Sequence, residues 1–568
     1  MRAASAPRLK NVSGERVAGF QRVAAFQRAA GFAVREVRAP GRWPALAGPA
    51  RRIRDHRLIS AAVAVSVALR ALAALAFRPA LFTPDSFSYM AESGHPVPGQ
   101  WHPAGYPLLL AALRPFHSLL LVTTVQHLMG VATAVIVYAV LRRRCLPEWG
   151  AVLAACPILF DPRQIALESF ILPDTVYALL LTVAVAVLLT GRGPMTRRCA
   201  LAGLLLAAAA VTRGNGAPEM VAVLAVLVFQ RVGWRAVTAA LLAFAIPVLG
   251  YMGVFAARHG DFALTNSDGM FLWSRTTSFA NCAVIKPPAN LQPLCPGQQP
   301  DPPAAAPSWS LPSLLGARSP ASYLWADGVW WRHDAHPGFN AVNNSLAMRF
   351  ALTAIRAQPV SYLRAVGSGV LLTFLASDRS LSVRSLHFTA VPDVAGLNGN
   401  QVRHLRAYAH VSRNSHPVQP YAYFLYLYQE PVFFPGIVFL LVVAAGLAGV
   451  VRWWRHGGGP AALPWAVAAV GIVIPIAVHE SHYRYTISVV PLACLAAGLA
   501  FVRHSAPSAE VAVPAAPAWE LVDAATEPAG DTGLAAAAGL AAAAAPAHTS
   551  APAPRPTGHV SRPGTDQP

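Results

Sequence analysis

The sequence predicts an all-α polytopic membrane protein with about ten transmembrane helices. A long extracytoplasmic loop domain is expected between the seventh and eighth of them. Of 568 residues, 55% are hydrophobic and only 12% are charged, a balance that would require implausibly large cores in a soluble protein. Several uncharged runs approach the roughly 20 residues that cross ~30 Å of hydrocarbon as a helix. Strand-type alternation is absent, which favours a helical bundle over a barrel.

The formal charge of +20 is distributed as in a membrane protein rather than as in a nucleic-acid-binding protein. Residues 1–57 hold thirteen Lys and Arg against three acids, and the runs "RRR" (142–144) and "RWWRH" (452–456) lie between apolar stretches. Basic residues of this kind concentrate on the cytoplasmic side. We therefore expect a multi-pass protein of the plasma (inner) membrane with both termini in the cytoplasm and no nucleic-acid partner.

The predicted segments follow from this alternation of basic and apolar stretches. Residues 1–57 are expected to form a basic cytoplasmic arm, either weakly amphipathic and in contact with the anionic membrane lipids of the cytoplasmic leaflet or disordered. Residues 58–257 hold the first seven spans, 258–428 the extracytoplasmic loop domain, 429–503 the last three spans, and 504–568 a disordered Ala- and Pro-rich cytoplasmic tail. The spans are expected at roughly 58–77, 119–141, 148–160, 170–190, 199–212, 217–230, 236–256, 430–451, 462–478 and 486–503.

Two further apolar runs are too short to be counted as spans. "HPAGYPLLLAALRPF" (102–116) is flanked by prolines, which suits a helix lying in the membrane interface. "VGSGVLLTFLA" (366–376) is placed in the extracytoplasmic domain, and whether it spans the membrane is left open.

Two of the six cysteines lie in the long predicted external loop. Cys282 and Cys295 stand close together there, whereas the other four fall in or beside predicted spans. An oxidising compartment favours bridging, so a Cys282–Cys295 disulfide is predicted, with two free thiols as the alternative.

The external ends of several predicted spans carry the acids and bases that lie at the level of the membrane. Isolated carboxylates beside hydrocarbon are costly and are usually retained for a site. For the acid in "LFTPDSFSYM" (81–90) a second interpretation is helix capping, since Asp before Ser-Phe-Ser is a good cap sequence. The set comprises Asp85, Glu168, Asp174, Arg213, His479, Glu480, His482 and Arg484.

The segment "HESHYRY" (479–485) raises the question of a metal site. His479 and His482 are spaced by three residues, which would place them on one face of a helix. The competing interpretation, hydrogen bonding to head groups or to an acceptor, is favoured because two histidines are few ligands. No CxxC, HExxH, GxGxxG or Walker A motif is present. We therefore assign no cofactor and treat the metal site as unknown, with a divalent metal as an open alternative.

The order of the motifs resembles the GT-C superfamily of integral membrane glycosyltransferases, close to the protein O-mannosyltransferase and aminoarabinose-transferase families. The matching motifs are "PDSFSYM" with Asp85 and Tyr89, "HPAGYPLLLAAL", "LESFILPD" with Glu168 and Asp174, and "HYRYTISVVP" with Arg484, Tyr485 and Pro491. The resemblance covers about residues 58–503 through short motifs. Many relatives have a second acid directly after the first; here it is Ser86, which weakens the case for tight metal binding and fits the bacterial branch better.

This resemblance implies transfer of a sugar from a polyprenyl-phosphate-linked donor to an extracytoplasmic acceptor of the cell envelope, a glycan, a lipid or a protein. Such a reaction needs a carboxylate to take the acceptor proton and cations to hold the leaving phosphate. Asp85 is the candidate general base, and Glu168 the second catalytic candidate, orienting the acceptor or a metal. Arg484 and Arg213 are candidate phosphate ligands. The remaining candidates for substrate binding are Tyr89, Asp174, His482 and Tyr485.

Two other functions compete with this one. A transporter or lipid-linked precursor flippase would carry ionisable residues near the middle of its spans and broken helices in paired halves. Apart from Arg70, the charges instead gather on the predicted external side, which favours an enzyme that faces outward. A non-catalytic scaffold that binds a partner is the third possibility.

The topology predicts opposite accessibilities for two engineered cysteines. A cysteine at Gln299, in the loop 258–428, should react with a membrane-impermeant maleimide in intact cells. A cysteine at Arg143, the matched control, should react only after permeabilisation, because basic loops stay in the cytoplasm. The reverse pattern would overturn the topology and the proposed location of the site.

Overall fold

The computed structural model describes residues 56–502, except 215, 299–318, 327, 334–336, 376–387 and 389–395. The predicted N-terminal arm, except for its last two residues, and the predicted C-terminal tail lie outside the described residues.

The first half of the described chain consists of helices joined by short connections. A two-residue strand, β1 (Phe77–Arg78), follows the first helix, and a 3-10 turn (Arg114–Phe116) follows the third. The helices are α1 (Arg57–Ala76), α2 (Pro84–Glu92), α3 (Gly105–Leu113), α4 (Leu119–Arg143), α5 (Glu148–Phe160), α6 (Pro162–Ser169), α7 (Asp174–Thr190), α8 (Met195–Thr212), α9 (Gly216–Phe229) and α10 (Trp234–His259).

The second half mixes short helices with a further group of apolar ones. Strand β2 (His416–Pro417) pairs with β1 in antiparallel register, Arg78 facing His416, and so holds this part of the chain against the end of α1. The helices are α11 (Asp268–Thr276), α12 (Cys282–Ile285), α13 (Pro320–Leu324), α14 (Ala341–Ala357), α15 (Pro359–Leu375), α16 (Gly399–Ala409), α17 (Tyr421–Val432), α18 (Gly436–Arg452), α19 (Ala462–Val478), α20 (Tyr483–Ile487) and α21 (Val490–Ala500).

Four of these helices, α1, α4, α8 and α10, are long and apolar enough to cross a membrane. The number rises to six if each of two bent pairs, α5 with α6 and α17 with α18, is one span. Helices α7, α9, α15, α19 and α21 are apolar but shorter. The regular structure of the described residues is therefore almost entirely α-helical, and several of their helices are long and apolar enough to span a membrane.

The main core lies where the apolar helices meet. Val137, Leu181, Leu206 and Leu495 belong to one buried cluster there. Helices α8 and α10 pack closely, and a side chain at Gly203 would collide with the carbonyl oxygen of Ala240. Close helix approach over small residues is the usual packing mode inside membranes, because lipid gives little hydrophobic driving force between helices.

Helix α15 contains the run that the sequence placed in the extracytoplasmic domain. Its Phe374 belongs to the main buried cluster, and Val366 and Val370 pack against that cluster. The helix also packs against α18 and α19. Residues 366–375 thus pack with the apolar bundle helices, which is explained by their lack of charge and largely apolar character.

The long connection between α10 and α15 has a small core of its own. Met270, Trp273 and Phe350 are buried in it, and the indole nitrogen of Trp273 donates to the carbonyl of Leu294 at 2.9 Å. Cys282 and Cys295 are joined by a disulfide at the edge of this cluster.

The disulfide can be tested on the purified protein. A non-reducing digest, analysed by mass spectrometry, should recover the peptides of Cys282 and Cys295 as one linked species. Cys145 is free and exposed, so it should be alkylated in the same sample and serves as the control. Recovery of Cys282 and Cys295 as separately alkylated thiols would show that the bond does not form.

Candidate functional site

Helix α2 places the acid of the first loop. Thr83 is the N-cap residue, and Pro84 occupies the first helical position. Thr83 and Ser86 form a capping box in which the Ser86 hydroxyl accepts the Thr83 N–H at 3.0 Å. The capping interpretation of Asp85 is therefore wrong, because the cap is supplied by its neighbours. Ser86, which replaces the second acid of the resembling families, stabilises the start of this helix.

The carboxylate of Asp85 is the end of a continuous run of charged groups. Arg484 donates from Nη1 to Asp85 Oδ2 at 2.8 Å and from Nε to Asp174 Oδ2 at 2.7 Å. Arg213 in turn donates to Asp174 Oδ1. We refer to Asp85, Arg484, Asp174 and Arg213 as the carboxylate–arginine chain. It joins α2, α20, the start of α7 and the residue after α8, and all four members were predicted site residues.

Asp85 is the most exposed member of the carboxylate–arginine chain. The side chain of Asp85 is 33% exposed, that of Arg484 15%, that of Arg213 11%, and that of Asp174 0%. Two arginines and two carboxylates balance in charge, which is what makes burial tolerable here. Asp85 is thus the carboxylate of this chain that a ligand can reach.

The electrostatic environment keeps Asp85 ionised. Burial alone would raise the pKa of its carboxyl group, but the charge of Arg484, with contributions from His102 and His482, outweighs burial and lowers it. Conversely, burial opposes the charge on Arg484, yet Asp174 and Asp85 hold its pKa well above the ordinary value. The ion pair therefore persists throughout the neutral pH range.

Both arginines keep unused donors. Among the described residues, none accepts a hydrogen bond from Nη2 of Arg484 or of Arg213, and Nη2 of Arg213 is buried. The Arg213 guanidinium lies 4.5 Å from the ring centroid of Tyr485, which fixes its plane. A guanidinium with a free N–H is suited to an anionic oxygen such as that of a phosphate.

An aromatic group borders Asp85. Tyr89, one turn further along α2, is buried, and its ring lies 4.4 Å from that of His102 and 5.1 Å from that of Tyr106. His102 was not among the predicted site residues, although its charge acts on Asp85. The sequence feature that could have identified His102 is that it begins the segment His-Pro-Ala-Gly-Tyr-Pro (102–107), which contains the Gly-Tyr-Pro element.

The two histidines of 479–485 have separate partners. His482 caps α20 and accepts the Arg484 N–H at 3.1 Å, and burial lowers its pKa. His479 hydrogen bonds to Ser274 at 2.9 Å, and burial followed by the charge of Arg275 lowers its pKa to about 3. Among the residues that the structure describes, no group of three or more His, Cys, Asp and Glu is placed to hold a metal ion.

The structure does not bring Glu168 into the carboxylate–arginine chain. Its carboxylate is fully buried and accepts from Arg70 at 2.7 and 2.9 Å, from Gln164 at 2.9 Å, and lies 2.9 Å from Nδ1 of His127. These partners occupy the lone pairs of both oxygens. As a second catalytic candidate beside Asp85, Glu168 is therefore misplaced: it neutralises Arg70, the charge that α1 carries inside the bundle.

Other buried polar pairs support the helices that carry the site. The hydroxyl of Tyr483 donates to Asp161 at 2.8 Å, which braces the start of α20 one residue before Arg484. The hydroxyl of Tyr177 donates to Glu219 at 2.7 Å, and the centre of the Tyr177 ring lies 5.5 Å from the Arg213 guanidinium. Sequence analysis missed Asp161 and Glu219. The one sequence feature that could have identified Glu219 is that it is an acid within an otherwise apolar run.

No family model, no curated protein and no solved structure matches this chain. Asp85 offers an ionised, partly exposed carboxylate with Oδ1 unbonded among the described residues, and Arg484 beside it has an unused Nη2 donor. The unused Nη2 of Arg213, which contacts Asp174, is buried.

The assignment of Glu168 predicts a loss of stability. Glu168→Gln leaves Arg70 buried without its counter-charge, so we expect the free energy of unfolding to fall by about 3–5 kcal/mol. Asp261→Asn, at a half-buried position, is the control and should change it by no more than about 0.5 kcal/mol. Denaturation of the solubilised protein, followed by tryptophan fluorescence, measures both. Equal stabilities would contradict a structural role for Glu168.

Proposed function

We propose that this protein is a GT-C-type membrane glycosyltransferase that transfers a sugar from a polyprenyl-phosphate donor to an extracytoplasmic acceptor. The observation that supports the proposal is the carboxylate–arginine chain, in which the partly exposed carboxylate of Asp85 is joined to two arginines. Arginine is a side chain suited to binding a phosphate. This is the pair of functions that the transfer reaction requires. The motif resemblance supplies the reaction class.

Asp85 acts as the general base of this reaction. Its unbonded Oδ1 takes the proton of the acceptor hydroxyl while the acceptor oxygen forms a bond to the anomeric carbon of the sugar. The bond from that carbon to the phosphate oxygen breaks at the same time, and the lipid phosphate leaves with the electron pair. Tyr89 is buried against His102, and the half-buried ring of His102 can pack against a sugar.

Arg484 couples donor binding to the strength of the base. Its Nη1 holds Asp85 in the free protein, which lowers the basicity of the carboxylate. A donor phosphate that binds Arg484 through its free Nη2 competes for the same charge and weakens this pairing. Asp85 then becomes a stronger base only when donor is present, which limits idle proton transfer.

The placement of the site fits a donor whose lipid lies in the bilayer. Asp85 follows α1 and Arg484 precedes α21, so both stand at helix ends. The four long helices, the two bent pairs and the shorter apolar helices other than α15 give the ten spans expected from the sequence. On that count we expect this end of the bundle to lie outside the inner membrane and both termini in the cytoplasm. The head group of a lipid-linked sugar lies at that level.

A second candidate function, transport or flipping of a lipid-linked precursor, is favoured by one observation. Arg70, Glu168 and His127 form a charged group buried between α1 and α4, both candidate spans. Ionisable residues inside spans mark transport pathways in many carriers. A transporter would move a lipid-linked sugar across a vesicle membrane without cleaving it, whereas a transferase would release lipid phosphate. Measuring the release of lipid phosphate therefore distinguishes the two functions.

Substitution of Asp85 tests the catalytic role. Asp85→Asn keeps the size of the side chain and leaves the Thr83–Ser86 cap intact, so the helix should form while transfer falls by roughly 10²–10⁴-fold. Arg484→Gln should instead weaken donor binding roughly 10- to 100-fold, because it removes a charge-assisted hydrogen bond to phosphate. Transfer of label from polyprenyl-phosphate sugars by protein in liposomes is the assay.

Asp261→Asn and Arg403→Gln are the matched controls, since neither residue lies in the carboxylate–arginine chain, and both should keep normal turnover. Near-normal transfer by Asp85→Asn would remove Asp85 from catalysis. Transport without any lipid phosphate release in the wild type would favour the second function.

A further inference from the structure

A cavity of about 820 Å³ lies between α1 and α4, and its lining contains neither Asp85 nor Arg484. Its walls are apolar, with Val67, Leu75 and Leu128 among them. These three side chains are at least 40% exposed. Because both helices are candidate spans, the open side of this cavity faces the region that hydrocarbon chains would fill.

The rim of the cavity is basic. Arg78 directly follows α1, His117 stands just before α4, and Arg413 and His416 come from the segment that β2 holds against β1. All four are exposed. Among the described residues no Asp or Glu lines the cavity, and neither Arg78 nor Arg413 has a carboxylate partner there. The rim lies at the ends of two candidate spans, the level at which lipid phosphates lie.

A buried polar atom inside the cavity also lacks a partner. His127 lines the wall and is only 5% exposed, and its Nδ1 is engaged by Glu168 at 2.9 Å. Its Nε2 has no hydrogen-bond partner among the described residues. A buried polar nitrogen without a partner is costly, so an occupant with polar atoms at this depth would relieve that cost.

We propose that this cavity binds an anionic glycerophospholipid of the bilayer, with its phosphate between Arg78 and Arg413 and an acyl chain along α1 and α4. The basic rim selects a negative head group, and the apolar walls exclude a free phosphate ion as the natural occupant. A polyprenyl chain has no polar atom below its phosphate. A glycerolipid carries ester oxygens below its phosphate, and a water molecule held by them can donate to Nε2 of His127, which is an acceptor because Nδ1 donates to Glu168.

Native mass spectrometry of the full-length, delipidated protein tests this proposal. The probes are phosphatidylglycerol and phosphatidylcholine with identical acyl chains, and polyprenyl phosphate. We expect preferential retention of phosphatidylglycerol. The double variant Arg78→Gln/Arg413→Gln should weaken that retention roughly tenfold or more without changing phosphatidylcholine, because each basic residue contributes to binding of an anionic lipid.

The matched control is Arg403→Gln/Arg406→Gln, which removes the same charge from exposed positions on α16 outside the cavity. It should retain phosphatidylglycerol like the wild type. A second variant, Ala74→Phe, narrows the apolar wall and should reduce retention of both phospholipids.

Three results would overturn the proposal. They are equal retention of the two phospholipids by the wild type, equal losses in the rim and control variants, and displacement of phosphatidylglycerol by an equal concentration of polyprenyl phosphate. The last would assign the cavity to the lipid chain of a prenyl phosphate. None of these measurements depends on the transfer reaction, so failure of one proposal is distinguishable from failure of the other. If the rim variant does not fold, loss of wild-type phosphatidylglycerol retention at high salt gives the same information.

Discussion

The double ion pair of Arg484, with Asp85 on one side and Asp174 on the other, connects parts of the chain that are far apart in sequence. Asp174 is completely buried at the start of α7, and its charge would be very costly without the two arginines that contact it. Because the geometry of a guanidinium is rigid, satisfying Asp174 also fixes where Arg484 points. That orientation in turn holds Asp85, at the accessible end, in a single position.

The same constraint, that buried charge must be paired, explains the second polar cluster. Arg70 lies on an apolar helix and is 3% exposed, and Glu168 meets it with two hydrogen bonds. Glu168 sits on α6, all of whose residues are buried. The two clusters therefore differ in role: one neutralises charge within the bundle, and the other leaves the partly exposed carboxylate of Asp85 beside the unused donor of Arg484.

Much of the site could be predicted from the sequence because interface-level charge is rare in so apolar a chain. Asp85, Asp174, Arg213 and Arg484 were expected at one place and are joined there. The role of Glu168 could not be predicted, since which acid neutralises Arg70 depends on how α1 and α6 pack. Capping was left as an alternative role for Asp85 because Thr83, Asp85 and Ser86 are all good cap formers, and only the backbone decides among them. His102 was missed because a single histidine carries no periodicity, and the number of spans is obscured by helices that are short or bent.

Binding of polyprenyl phosphate to the Asp85→Asn variant tests whether Arg484 is shared between Asp85 and a ligand phosphate. This ligand has no sugar to transfer, so its affinity reports on the charges alone. Removing the charge of Asp85 frees Arg484 and removes the repulsion between that carboxylate and the phosphate. We therefore expect the variant to bind polyprenyl phosphate up to about tenfold more tightly than the wild type. Weaker binding by a folded Asp85→Asn variant would contradict this sharing of Arg484. It would mean that Asp85 holds Arg484 in its binding position and does not compete with the ligand for Arg484.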